Sequence, residues 1–154
     1  MGISMGGHGT LRLALFEGHR FASAAAISAP VMDAEHLVAF TRNFWVRLFV
    51  PVERIWGPTD DVERVRQDDL FRRWTAQDDL SGLRLMLAVG EDDRDGIVTG
   101  STRFHEHLAE RGIEHGWLVY EGGHRWVDWR PIFPAVLRFL VDGDAADARS
   151  DAGG

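Results

Sequence analysis

The chain has 154 residues, 45% hydrophobic and 27% charged, which is the make-up of a single folded domain. Its net charge of −7 offers no basic face to phosphates and argues against nucleic acid, and no apolar run reaches the ~18 residues of a membrane span. Cysteine is absent, which excludes disulfides, thiolate metal sites and cysteine nucleophiles together.

In chain order, the first feature is Gly2-Ile3-Ser4-Met5-Gly6, with neither the charged nor the apolar region of a signal peptide, so a cytoplasmic location is the default expectation. Leu11, Leu13, Ala14 and Leu15 follow, with Gly18 beyond, and this predicts a helix from Met5 to Glu17 closed by glycine. Small residues on both sides of a serine suit a tight strand-to-helix turn that lifts the hydroxyl off the backbone. The Met5 N–H then sits at a helix N-terminus, where a developing oxyanion is favoured. Alone the pattern is weak, arising by chance in on the order of one in twenty chains of this length.

Phe21 to Val31 is a short apolar run ended by Pro30, the signature of a buried parallel strand. Asp33 to Leu80 is too long for an ordinary crossover and holds Phe40, Phe44, Trp45, Phe49, Trp56, Phe71 and Trp74. It reads equally as helices packing over a sheet edge and as a cap-like insertion lining an apolar substrate pocket. Leu83 to Val89 is a second strand, Thr99 to Arg111 a helix stopped by Gly112, and Gly116 to Tyr120 a third strand. Asp128 to Leu140 places Ile132, Phe133, Val136, Leu137 and Leu140 on one stripe, a helix lying on a sheet. The remainder, 142–154, is small, acidic and glycine-rich, and is expected to be disordered. Alternation of strand and helix makes residues 1–141 one α/β domain, three-layer α/β/α with parallel strands.

A serine hydroxyl needs a base to take its proton, and that base needs a carboxylate to orient it. In parallel-sheet hydrolases the chain order is Ser, then the acid, then His. Here the second strand runs into Gly90-Glu91-Asp92-Asp93 and the third into Gly122-Gly123-His124, both at carboxyl ends of strands, where open α/β sheets place their ligands. Of the seven histidines, His124 is the base, because glycines free the turn before it and a helix follows. His8, His19, His36, His105, His107 and His115 read as solvated, and His105 with His107 does not make a metal site, since residues two apart do not share a helix face. Asp93 is the preferred acid because it completes G-x-x-D, with Asp92 the alternative one residue away and Asp33 a distant third. Glu91 and Asp95 read as solvating the loop, and Trp126 and Trp129 as packing against the sheet.

GISMGGHGTLRLAL, LMLAVGEDD and YEGGHRWVDW together resemble the esterase family of the α/β-hydrolases, the group with enterochelin esterase, esterase D and mycolyltransferase-like members. The resemblance runs from Gly2 to about Leu140 and implies nucleophile Ser4, acid Asp93, base His124 and oxyanion donor Met5. It implies hydrolysis of a small-molecule carboxylic ester, with no cofactor and no metal. Acyl transfer by the same triad is the alternative, and an inactive truncated hydrolase the other.

Family members have several strands before the elbow, whereas here the serine is fourth in the chain. The expectation is therefore a C-terminal half, from a start codon called too late or a broken gene, lacking those strands and the second oxyanion donor. One such donor is worth roughly 10²–10³ in turnover. The flank of the Phe21–Val31 strand is then expected to be an unpaired apolar edge open to self-association.

Overall fold

The structure is a computed structural model and describes residues 1–56, 62–67, 69–73 and 82–142. The chain divides into two compact units, one of Met1–Val31 with Thr75–Gly154 and one of Met32–Trp74.

In chain order the elements begin with strand β1 (Gly2–Ile3), helix α1 (Met5–Phe16), a 3-10 turn (Gly18–Arg20) and strand β2 (Ser23–Ile27). Helices α2 (Ala34–Arg42), α3 (Phe44–Phe49), α4 (Val52–Trp56), α5 (Val62–Gln67) and α6 (Leu70–Arg73) follow. Strand β3 (Arg84–Gly90), helix α7 (Asp95–Glu110), strand β4 (Gly116–Tyr120), helix α8 (Trp126–Trp129), a 3-10 turn (Arg130–Ile132) and helix α9 (Phe133–Asp142) complete the described chain.

All four strands are parallel, in the order β1-β2-β3-β4. Ala26 pairs with Gly2 on one side and Leu87 on the other, and Gly90 pairs with Tyr120. Strand side chains alternate between faces, so one face presents Ala25, Ile27, Met86, Ala88, Leu118 and Tyr120. Val136 and Phe139 of α9 cover them, with Trp129, Ile132 and Phe133 packed alongside. The opposite residues, Ala24, Ala26, Leu85, Leu87 and Val89, are equally buried, and α1 and α7 pack on that side with Leu11, Ala14, Phe104 and Leu108. Three layers result, as the alternation of elements requires. Ser23 Oγ and an Arg84 guanidinium N–H both donate to the Leu140 carbonyl, at 2.7 and 3.1 Å, and pin the end of α9 to the amino ends of β2 and β3.

Three local expectations change. The elbow does have an entry strand, because Gly2 and Ile3 pair with Ala26 and Ile27, and this also occupies part of the β2 flank. The last helix is three pieces rather than one, since Pro131 lacks an N–H and interrupts the hydrogen-bond ladder between α8 and α9. Helix α1 ends at Phe16, capped by Glu17, whose N–H reaches the Leu13 carbonyl, and Gly18 opens a 3-10 turn instead of capping in the left-handed region. Gly112, by contrast, does adopt a positive φ of 68° beyond α7.

Within Met32–Trp74, Leu37 and Val52 are buried and Met32, Val38, Phe40, Val46 and Val50 pack around them. The buried Asp69 carboxylate accepts from Ala34 N–H at 3.0 Å, and Asp33 and Asn43 cap α2 and α3. Phe44 and Trp45 are exposed. Trp74 and the acidic tail 143–154 lie outside the described residues, whereas Asp142 closes α9.

Candidate active site

Ser4 stands between β1 and α1 with φ 54° and ψ −125°, a left-handed backbone that is costly for any residue with a Cβ. Surrounding contacts hold it there. Its N–H donates to the Ile27 carbonyl at 2.8 Å, and its own carbonyl accepts from His8 N–H at 3.1 Å. Glycine is needed for steric reasons at Gly2 but not at Gly6, the other glycine of the pattern, where a Cβ would meet nothing within 4 Å; the second tight position is Gly7 instead. A Cβ on Gly2 would overlap the Gly6 carbonyl, and one on Gly7 would lie 2.9 Å from the Ala29 Cβ. The Ser4 hydroxyl makes no capping bond to α1, which leaves it available to a partner elsewhere.

That partner is His124, whose Nε2 lies 2.9 Å from Ser4 Oγ across a separation of 120 residues. On the other side of the ring, His124 Nδ1 lies 3.0 and 3.2 Å from the two Asp93 carboxylate oxygens. A carboxylate only accepts, so Nδ1 carries the proton and Nε2 presents its lone pair to the serine O–H. The Asp93 side chain is 0% exposed, and its Oδ1 also accepts from Arg94 N–H at 2.7 Å. Asp92, one residue earlier, is exposed, and its N–H is committed to the Gly122 carbonyl at 3.0 Å. Asp33 accepts from His36 N–H and ring Nδ1, a helix-capping role, while Glu91 and Asp95 are exposed.

The histidine turn is held by a residue that sequence reasoning passed over. Gly122 has φ 111°, and a Cβ there would meet the Asp128 side chain at 2.9 Å. Asp128 accepts from Gly123 N–H at 3.1 Å and from two Arg125 guanidinium N–H groups at 2.8 and 2.9 Å. The Arg125 hydrogen bonds hold its carboxyl below the usual carboxylate range. Arg125 and Asp128 stand three apart at the start of a helix, and that spacing was the readable signal.

Met5 is the first residue of α1, so its N–H belongs to the first turn, whose donors have no intrahelical acceptor. Behind His124 the Trp129 ring stands edge-on to the imidazole, with centroids 5.0 Å apart and planes at 84°. Trp126 is exposed, though its ring meets those of Trp129 and Phe133.

Several of the remaining histidines are not simply solvated. His8 is buried on α1 with Nδ1 3.1 Å from the Pro30 carbonyl. His105 stacks on Trp117, with centroids 4.5 Å apart, and its Nδ1 lies 2.7 Å from His115 Nε2. Burial and the neighbouring His115 lower the His105 pKa. Periodicity along α7 could not reveal that pair, because His115 comes from the loop beyond it. Among the described residues no group of three or more His, Asp or Glu is arranged to hold a metal, and no helix is long and apolar enough to cross a membrane.

Residues 1–140 match the family described as "Putative esterase". Among solved structures, a ferulic acid esterase is similar with TM-score 0.65 and 19% identity, over 92% of this chain and 50% of that one. An S-formylglutathione hydrolase from Staphylococcus aureus is similar with TM-score 0.58 and 22% identity, over 90% of this chain and 52% of that one. A puromycin-hydrolysing peptidase from Mycobacterium tuberculosis shares the fold with TM-score 0.61 and 24% identity, over 90% of this chain and 20% of that one. The chain thus spans about half the length, or less, of the solved structures it resembles. No curated protein sequence matches it.

Proposed function

The chain belongs to the Esterase family, and from that premise we propose that it hydrolyses small carboxylic esters through Ser4, His124 and Asp93. The observation that carries this reading is the unbroken hydrogen-bonded line from Asp93 through His124 to Ser4. In the first half-reaction Ser4 Oγ attacks the acyl carbon while His124 Nε2 removes its proton. The resulting imidazolium is stabilised by the buried Asp93 carboxylate, which stays ionised throughout. The Met5 N–H stabilises the oxyanion of the tetrahedral intermediate, which collapses as His124 returns the proton to the departing alcohol. Water then attacks the acyl-enzyme by the same route in reverse, releasing the acid and restoring Ser4.

The test is labelling of the chain with a fluorophosphonate, combined with turnover of a short p-nitrophenyl ester. Wild type is expected to react at Ser4, and Ser4→Ala and His124→Ala each to lose essentially all reaction, by about 10⁶ in turnover for a nucleophile or base removed from a working triad. An unlabelled wild type, or a Ser4→Ala variant that labels equally, defeats the reading. Adding an alcohol acceptor separates hydrolysis from acyl transfer by its products.

A further inference from the structure

We propose that Trp129, suspended from Ser28 and backed through it by Tyr120, is a positioning residue that keeps the His124 imidazole turned toward Ser4. This inference rests on the triad reading above.

Ser28 is the residue after Ile27, whose carbonyl anchors the elbow, and it is 0% exposed. Its φ is 48°, a left-handed conformation that a residue with a Cβ adopts only when its surroundings enforce it. The enforcement is visible. Ser28 N–H donates to the Ala88 carbonyl at 2.8 Å, and its hydroxyl oxygen lies 2.6 Å from the Tyr120 hydroxyl. The Trp129 indole N–H donates to the same Ser28 oxygen at 3.2 Å. One buried hydroxyl thus joins the ends of β2 and β4 to the helix that follows the histidine turn. Burial pushes the Tyr120 phenol pKa up, so the hydroxyl keeps its proton through the neutral range.

The triad's own hydrogen bonds do not immobilise the imidazole. Asp93 accepts from Nδ1 and Ser4 meets Nε2, and because the ring is tethered at Cβ its remaining freedom is rotation about the Cα–Cβ and Cβ–Cγ bonds. Rotation about the Cα–Cβ bond carries Nε2 away from the serine and has to break both bonds. Trp129, in T-shaped contact with the His124 ring at 5.0 Å, stands beside the imidazole and adds a wall that the hydrogen bonds do not supply. Its own indole is fixed at one end by the bond to Ser28 and flanked by the Trp126 ring, with centroids 6.4 Å apart. Because a displacement of about 1 Å can cost on the order of 10² in rate, a wall beside the base has a kinetic role distinct from its packing role.

The experiment uses the chain itself with two readouts. One is the kinetics of p-nitrophenyl acetate hydrolysis. The other is the downfield proton resonance of His124 Nδ1–H on Asp93, assigned by its loss in His124→Ala. Trp129→Phe keeps an aromatic ring but removes the N–H, and Ser28→Gly keeps the left-handed backbone but removes the hydroxyl. Each is expected to lower kcat by about tenfold with KM unchanged, and to broaden or remove the downfield resonance. Should Ser28→Gly fail to fold, Tyr120→Phe deletes one oxygen and no carbon volume, and is expected to lower kcat roughly two- to threefold. Variants that melt earlier yet keep both kcat and the resonance overturn the proposal and leave Trp129 a packing residue. A wild-type chain that shows the resonance but no hydrolysis, with the resonance lost in Trp129→Phe, upholds the positioning and defeats the hydrolase reading instead.

Discussion

Gly90 and Gly122 meet backbone to backbone, so that a Cβ placed on Gly90 would overlap the Gly122 carbonyl. The same carbonyl accepts from Asp92 N–H at 3.0 Å, and a Cβ on Gly123 would lie 2.7 Å from the Asp92 carbonyl. The turn carrying Asp93 and the turn carrying His124 are therefore interlocked through glycines, and their separation is set by main-chain contact, not by side-chain choice. That contact brings the carboxylate within hydrogen-bond reach of the imidazole.

Gly90→Ala is expected to force the two turns apart. Overpacking of this kind costs about 1–3 kcal/mol, which a denaturant melt would read. The same change should slow fluorophosphonate labelling by at least about tenfold, since the base shifts relative to Asp93. Gly96→Ala on α7, where a Cβ meets nothing within 4 Å, is the matched control and should leave both measurements near wild type.

The two neighbouring aspartates should behave very differently. Asp93→Asn presents an amide to His124 Nδ1 and favours the wrong tautomer, with an expected loss of about 10⁴ in kcat for a p-nitrophenyl ester. Asp92→Asn changes an exposed side chain and should stay within roughly threefold of wild type. Equal losses in both would move the acid away from Asp93.

His105 gives the fold a dependence on pH that is separate from catalysis. Burial first, and the nearby His115 second, depress its pKa below the ordinary 6.5, while Glu106 acts weakly the other way. The unfolded chain therefore takes up a proton near 6.5 that the folded chain still refuses. Its contribution is complete above that pH and declines as pH falls from 6.5 toward the lower folded value. Urea midpoints at neutral and mildly acidic pH should show the decline in wild type and a shallower one in His105→Gln.

The layered architecture was legible because parallel strands buried on both faces are short apolar runs, and Ala24 to Ile27 and Leu85 to Val89 are such runs, while the apolar run Gly116 to Tyr120 is buried on one face and leaves Val119 exposed on the other. The residues brought together at the site were legible for a related reason. Gly2, Gly90, Gly122 and Gly123 lie in or just past strands that lead into the site, and the carboxyl ends of strands in a parallel sheet share one rim. Pro131 lies inside the helix expected from Asp128 to Leu140, and the apolar stripe gives no sign of the break because it begins only at Ile132, beyond the proline.

Local pattern determined the layers, the serine and histidine that meet at the strand ends, and the turn that carries their acid, but not the order of the strands. Tertiary structure alone decided which of two adjacent aspartates faces the imidazole, because a one-residue change in a turn exchanges them without altering any periodicity. It also decided that Asp128 clamps the histidine turn, that His105 finds His115, and that Ser28, Tyr120 and Trp129 converge behind the base. Hydrogen bonds between Ser28 and Tyr120, or Ser28 and Trp129, span 92 and 101 residues, and only the closing of β2 against β3 and β4 brings such distant polar atoms within reach of one another.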